Sequence, residues 1–164
     1  MPAYYINCRN PVNLFAPPFA RALLSGGEGF PGLWGKVDFC LCPPGLLILC
    51  EFRGLPYNAD PCAPNLFALH LHQEGSCASA EGNAFGAAGG HYNPENCPHP
   101  AHAGDFPPVF SNHGYAFSAF YSERLRPEIL PGRSVILHSR RDDFTSQPAG
   151  DSGARIACGI VRKI

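Results

Sequence analysis

Proline and glycine punctuate this chain too densely for long helices to fit. There are 18 of each in 164 residues, well above ordinary usage, and no collagen-like period explains them. Proline removes a helical hydrogen bond and glycine adds backbone entropy, so only short elements fit between them. Turns at this density suit a fold of many short strands. The length suits one domain with a real core, and two would be cramped. Charged residues make up 15% of the chain, below the ~25% of an ordinary soluble protein. The net charge is −1. No basic block points to a nucleic acid, and no run of about 18 apolar residues points to a membrane span, so neither partner is expected. The N-terminal stretch MPAYYINCRNPVNLF lacks a basic start followed by an apolar core. No signal peptide is read there, and a cytoplasmic location is the expectation, with export the alternative if a leader has been removed.

Residues 1–30 read as an irregular N-terminal extension, broken by Pro17-Pro18 and Gly26-Gly27, with one or two helical turns available to FARALL at 19–24. From Leu33 the pattern alternates. Val37, Phe39 and Leu41 fall on one side, and Asp38, Cys40 and Cys42 on the other. With a turn at Pro43-Pro44-Gly45 and a second strand at Leu46–Phe52, residues 33–52 form a predicted β-hairpin. Further strands are predicted at Phe67–His72, at Val109–Phe120 (a pair turning near Asn112-His113-Gly114), at Ser134–His138 and at Ala154–Val161. Between them lie two long loops, 73–108 and 139–153. Loops of that length in a compact domain are usually functional. The expected fold over residues 31–164 is all-β, a Greek-key barrel or sandwich of about eight antiparallel strands with two long functional loops.

The seven histidines carry the chemistry: His70, His72, His91, His99, His102, His113 and His138. His70 and His72 flank Leu71 on a predicted strand, so both rings project from one face. That is a ready bidentate metal site, although two polar residues on a solvated strand face would read the same way. His99, His102 and Asp105 recur at intervals of three in HPAHAGD. The surrounding prolines and glycine disfavour a helix there, but a folded loop can close these residues around a small ion. Zinc suits two imidazoles and a carboxylate, with His91 available as a fourth ligand. His138 ends a strand, where a lone histidine is more often structural. With His70 and His72 it makes three imidazoles, and copper(II) favours a nitrogen set of about four. His91 can complete that set too, because imidazole has two distinct nitrogens.

Four stretches together resemble the copper/zinc superoxide dismutase family: ALHLHQEGSC (68–77), AGGHYNP (88–94), VILHSRRDD (135–143) and GDSGARIACGIV (150–161). The resemblance covers roughly residues 33–162 and is similar in pattern to a bacterial branch. It implies copper held by His70, His72, His91 and His138, and zinc held by His91, His99, His102 and Asp105, with His91 bridging the two. It implies that Asp142 hydrogen-bonds a histidine of each metal, that Arg155 attracts superoxide, and that Cys77 and Cys158 form a disulfide. The alternative for Arg155 is a surface arginine paired with Asp142, Asp143 or Asp151. The implied reaction disproportionates superoxide to oxygen and hydrogen peroxide, with Arg155 and His91 as the catalytic residues. A homodimer is a possible assembly. Three departures stand out. The Cys77–His91 segment is long, the His99–His102 gap is short, and the loop from Asp143 to Arg155 is shortened and lacks the lysine and glutamates that usually guide the anion.

Three other readings compete. One is a catalytically weak relative that binds or handles copper. Another is a zinc-only barrel with His70 and His72 idle. The third is a zinc hydrolase using Glu74 as base, for which an open zinc position would be needed. His113 has no counterpart among the implied ligands and reads as structural or surface. Cys40, Cys42 and Cys50 read as small apolar fillers. Cys62 and Cys97 are free to pair with each other or with Cys8.

Overall fold

The computed structural model describes residues 16–164; the readings made for Cys8 and for the rest of residues 1–15 lie outside them. The described chain is all-β, with only two single-turn 3-10 segments, Gly86–Ala88 and Pro127–Ile129. No helix among the described residues is long and apolar enough to cross a membrane.

Nine strands form in chain order: β1 Pro18–Gly26, β2 Trp34–Cys42, β3 Gly45–Arg53, β4 Leu66–Phe67, β5 Leu69–His72, β6 Val109–Phe110, β7 Tyr115–Ser122, β8 Ser134–His138 and β9 Arg155–Lys163. Seven of them make one antiparallel sheet in the order β5-β8-β9-β1-β2-β3-β7. This sheet curls into a half-barrel. Its edge strands β5 and β7 are each preceded by a short strand, β4 and β6, and these two pair with each other through Leu66↔Phe110 and Phe67↔Val109. The core inside the curl includes Leu24, Phe39, Ile48, Phe52, Leu69, Leu71, Val135, Leu137 and Ile156, all buried.

The predicted hairpin is present, with Cys42 paired to Gly45 across Pro43-Pro44. The sides assigned along β2 hold, because its pairing with β3 runs without a register shift, but burial does not follow them near the turn. Val37 and Phe39 are in the core, but Leu41 is 52% exposed while Cys40 is fully buried. The sheet extends past the core at that end, so alternation no longer reports burial. The β6–β7 turn also falls where expected. His113 and Gly114 both have positive φ, 50° and 83°, the backbone that a tight hairpin turn with the right twist requires. The predicted 67–72 strand is split at Ala68, which turns its N–H to the Arg140 carbonyl and its C=O to the His138 N–H.

Residues 18–26 correct the sequence reading. They form a strand between β9 and β2, near the middle of the sheet, so the barrel domain includes them and does not begin at residue 31. Ala20, Ala22 and Leu24 are fully buried, while Leu23 between them and Ser25 after them are exposed. That is strand period, and pairing on both sides overrides the helical propensity of the local sequence.

The loop 73–108 does not hang free. It lies along the open edge of β5, with Tyr92 N–H on the Leu71 carbonyl at 2.7 Å, Leu71 N–H on the Gly104 carbonyl at 2.9 Å and Phe106 N–H on the Leu69 carbonyl at 3.3 Å. These bonds set His91 opposite His72 and Asp105 opposite His70 as isolated bridges. The predicted disulfide Cys77–Cys158 is formed and ties the start of this loop to β9. Cys62 and Cys97 are free thiols, so they do not pair with each other. Cys40 and Cys50 are buried fillers as expected, and burial pushes the Cys50 thiol up to about 12.

Candidate metal centre

The sheet period decides where the histidines go. On β5, Leu69 and Leu71 point into the core, so His70 and His72 point outward. On β8, Val135 and Leu137 point inward, and Ile136 and His138 outward. The three rings therefore stand on the outer wall of the half-barrel. The two long loops roof them so completely that His70 and His72 have no exposed surface.

Two clusters result. The candidate ligand atoms of His70, His72, His91 and His138 all lie within 4.8 Å of one another, and so do those of His91, His99, His102 and Asp105. His91 belongs to both. Every metal ligand implied by the sequence is thus brought together. His113 is not among them; it lies against Tyr57 with ring centroids 4.7 Å apart. Glu74 is in neither cluster.

The first cluster is defined by what its atoms lack. His70 Nδ1 and the Nε2 atoms of His72, His91 and His138 are buried without any hydrogen-bond partner. Unpaired buried polar groups cost free energy, and four converging on one point call for a shared partner. The opposite ring nitrogens are all engaged. His70 Nε2 meets Asp142 Oδ2 at 2.9 Å, His72 Nδ1 meets the Gly89 carbonyl at 2.9 Å, and His138 Nδ1 meets Ser152 Oγ at 3.2 Å. Such contacts fix each tautomer so that the free nitrogen presents a lone pair. Burial pushes His70 down to about 4, against the pull of Asp142, and holds His72 and His138 well below the ordinary histidine value. Neutral imidazole is the form that binds a metal.

The second cluster is gathered around Asp105. Asp105 Oδ1 lies 2.7 Å from His91 Nδ1 and 3.1 Å from His102 Nδ1; Asp105 Oδ2 lies 3.1 Å from His99 Nδ1. His102 Nδ1 and His91 Nδ1 are 3.4 Å apart. A tetrahedral ion bound at ~2.0–2.1 Å separates its donor atoms by ~3.3 Å, and the separations of 2.7–3.4 Å found here fall around that spacing. Burial pushes the Asp105 carboxyl up, but its bond to His91 and the neighbouring imidazoles outweigh that and hold it below the usual range.

Asp142 joins the clusters. Its two oxygens reach His70 Nε2 and His99 Nε2, each at 2.9 Å. Burial opposes its ionisation, but these bonds and the Phe144 N–H bring it down to about 2. Arg155 stands at the rim, half-buried, its guanidinium donating to the Phe85 and Gly89 carbonyls at 2.7 Å each. The Gly89 carbonyl thus contacts both Arg155 and His72. The carboxylates named as alternative partners of Arg155 are taken elsewhere: Asp151 by Arg140, Asp143 by Ser146, and Asp142 by the two histidines. A pocket of about 510 Å³ opens beside Arg155, lined also by Gly153, Ala154, Asn83 and Glu81. Sequence reasoning did not find Gly89, Ser152 or Phe85. The first and last act through main-chain carbonyls, which no side-chain pattern announces.

The chain matches the family model described as copper/zinc superoxide dismutase over residues 51–161. It is 36% identical over 121 residues to the copper–zinc superoxide dismutase of Photobacterium leiognathi, covering 65% of this chain and 69% of that one. It is 30% identical over 166 residues to the second copper–zinc superoxide dismutase of Aquifex aeolicus, covering 87% and 86%. Among solved structures it resembles the copper/zinc superoxide dismutase of Brucella abortus, with a TM-score of 0.72 and 28% identity over 87% of this chain and 99% of that one. All seven side chains of the two clusters, and both loops that roof them, fall inside the matched span. By sequence, by fold and by that constellation, the chain belongs to the copper/zinc superoxide dismutase family.

Proposed function

We propose that this chain disproportionates superoxide, with copper held by His70, His72, His91 and His138, zinc held by His91, His99, His102 and Asp105, and Arg155 guiding the anion. The observation that carries this reading is the set of four buried, unpartnered imidazole nitrogens facing one another beside the close set of His91, His99, His102 and Asp105. Copper would supply the one-electron redox change and zinc a fixed positive charge on the far side of His91.

The residues do the rest. His70, His72 and His138 are held by strands and by Asp142, the Gly89 carbonyl and Ser152, so their lone pairs are aimed before any ion arrives. His91 presents Nε2 to one cluster and Nδ1 to the other. Its Nε2 is the atom that would hold a proton and pass it to the peroxide being formed. Arg155 keeps its charge at any physiological pH and lies at a concave opening, where a fixed cation raises the local concentration of a small anion. We further propose a homodimer. Its support is the apolar side chains exposed on the outer face of the sheet, Leu23 on β1 and Tyr115, Phe117 and Tyr121 on β7.

The test is superoxide dismutation by the chain reconstituted with copper and zinc, beside His138→Ala. The wild type is expected to be fast, and the variant to lose copper and activity together while keeping zinc. A wild type that binds both metals yet turns over no faster than background would sink the enzymatic reading and favour a copper-handling one.

A further inference from the structure

The zinc-side histidine His99 is held in a way that the family ligand set does not mention. Its ring Nε2 is held by Asp142. Its main chain is held separately by Gln147, from the other long loop. The Gln147 side-chain amide donates Nε2–H to the His99 carbonyl at 2.7 Å and accepts the His99 N–H on Oε1 at 3.0 Å. The two residues are 48 apart in sequence. One side-chain amide thus satisfies both main-chain groups of a single residue, as a neighbouring strand would.

The segment that presents Gln147 is itself tightly built. Asp143 accepts the N–H of Thr145 and of Ser146 at 2.8 Å each, and the Ser146 hydroxyl at 2.6 Å. The Gly150 N–H closes the turn on the Ser146 carbonyl at 2.8 Å. Gly150 has φ +65°, and a Cβ there would lie 1.9 Å from Asp142 Oδ1 and 2.8 Å from His99 Nε2. Only glycine lets this turn press so closely on His99. With N–H, C=O and Nε2 all occupied, the one polar atom His99 has left is Nδ1, which is buried, makes no hydrogen bond, lies 3.1 Å from Asp105 Oδ2 and faces His91, His102 and Asp105.

We propose that Gln147 is a positioning residue for the zinc half: it fixes the His99 backbone so that Nδ1 is aimed at the ion, and it makes zinc retention depend on the order of the 139–153 loop. This rests on the reading of His99 as a zinc ligand. The copper half should be indifferent, because His70, His72 and His138 are carried by β5 and β8. Outer contacts of this kind are worth about 10–100-fold in metal affinity.

The test uses the metal-free full chain. Zinc(II) is titrated against a chromophoric chelator, cobalt(II) reports the geometry of the zinc half through its visible bands, and copper(II) is titrated separately. Gln147→Ala is expected to weaken zinc by about 10–100-fold and to alter the cobalt bands, with copper affinity unchanged. Gln147→Glu keeps the acceptor for the His99 N–H and loses the donor to its carbonyl, so it should fall in between. Wild-type zinc affinity and cobalt bands in Gln147→Ala would overturn the proposal, and so would an equal loss at both metals with a lowered melting temperature. Should Gln147→Ala fold poorly, Gln147→Glu decides by the same criteria. His99→Ala is run in parallel. If it binds zinc like the wild type, the zinc reading itself fails, whereas loss in His99→Ala without loss in Gln147→Ala removes only the clamp.

Discussion

The two halves of the metal centre are made differently. Three of the four copper-side rings stand on adjacent strands paired with each other, β5 and β8, with the hydrophobic core directly behind them. The zinc side has no strand at all. His99, His102 and Asp105 lie on loop backbone, held by Asp105, Asp142, Gln147 and a few main-chain bonds to β5. The unpaired nitrogens follow the same division. All four copper-side nitrogens lack a hydrogen bond, whereas on the zinc side only His99 Nδ1 does: Asp105 hydrogen-bonds His91 and His102 and stands 3.1 Å from His99 Nδ1 without bonding it. A ladder of backbone bonds thus holds the copper rings in place however poorly their own atoms are satisfied. The zinc half has no such support and is expected to draw its order from the ion.

The sharpest way to break this comparison is to remove both metals and follow amide hydrogen exchange. Chelation is expected to speed exchange in the zinc loop, at Tyr92, Gly104 and Asp105, on the order of 100-fold, since their protection would come from a local, metal-linked unit. Amides of 134–138 should change little, because β8 is paired on both sides, to β5 and β9. Equal acceleration in both regions would show that the copper half also depends on its ion.

The same division explains what could be read from the sequence. His70 and His72 were legible as a pair because strand period puts i and i+2 on one face, and the period was visible in LHLH. The zinc set was legible as ligand types, but its closure around one point depends on loop contacts with no period. His91 could be counted as a shared ligand, yet only the family resemblance assigned it to both sites. β1 was missed because nothing local to FARALL says that β2 and β9 will flank it. Leu41 and Cys40 keep the sides that alternation assigns them, but near the turn those sides do not report burial, because the sheet runs on past the core. Gln147 left no signal, since a single glutamine in a loop resembles any other.

Asp142 gives the next largest effect, because it is the one side chain that touches a ring in each half. Asp142→Ala is expected to lower both copper and zinc affinity by about 10–100-fold, the usual weight of a carboxylate that orients ligand histidines. Separate titrations with each metal check this. Zinc should suffer at least as much as copper, since His70 remains on a paired strand while His99 loses its one ring hydrogen bond. A variant that loses copper alone would reverse the order of rigidity argued above.

The smallest effect is expected at Arg155, which belongs to neither ligand set. Its two hydrogen bonds go to main-chain carbonyls, so its charge is neither neutralised nor mobile. Arg140, by contrast, is exposed and paired with Asp151 at 2.6 Å, an arrangement that leaves little net field. Steering of the anion should therefore rest on Arg155 despite the shortened loop around it. Arg155→Gln is expected to lower kcat/KM roughly tenfold, near the lower end of what steering provides, with both metals retained. Rising ionic strength should slow the wild type more than the variant, because salt screens an attraction that the variant lacks. A variant that keeps the wild-type salt dependence would place the attracting field elsewhere, with Asp151→Asn, which frees Arg140, the next substitution to measure.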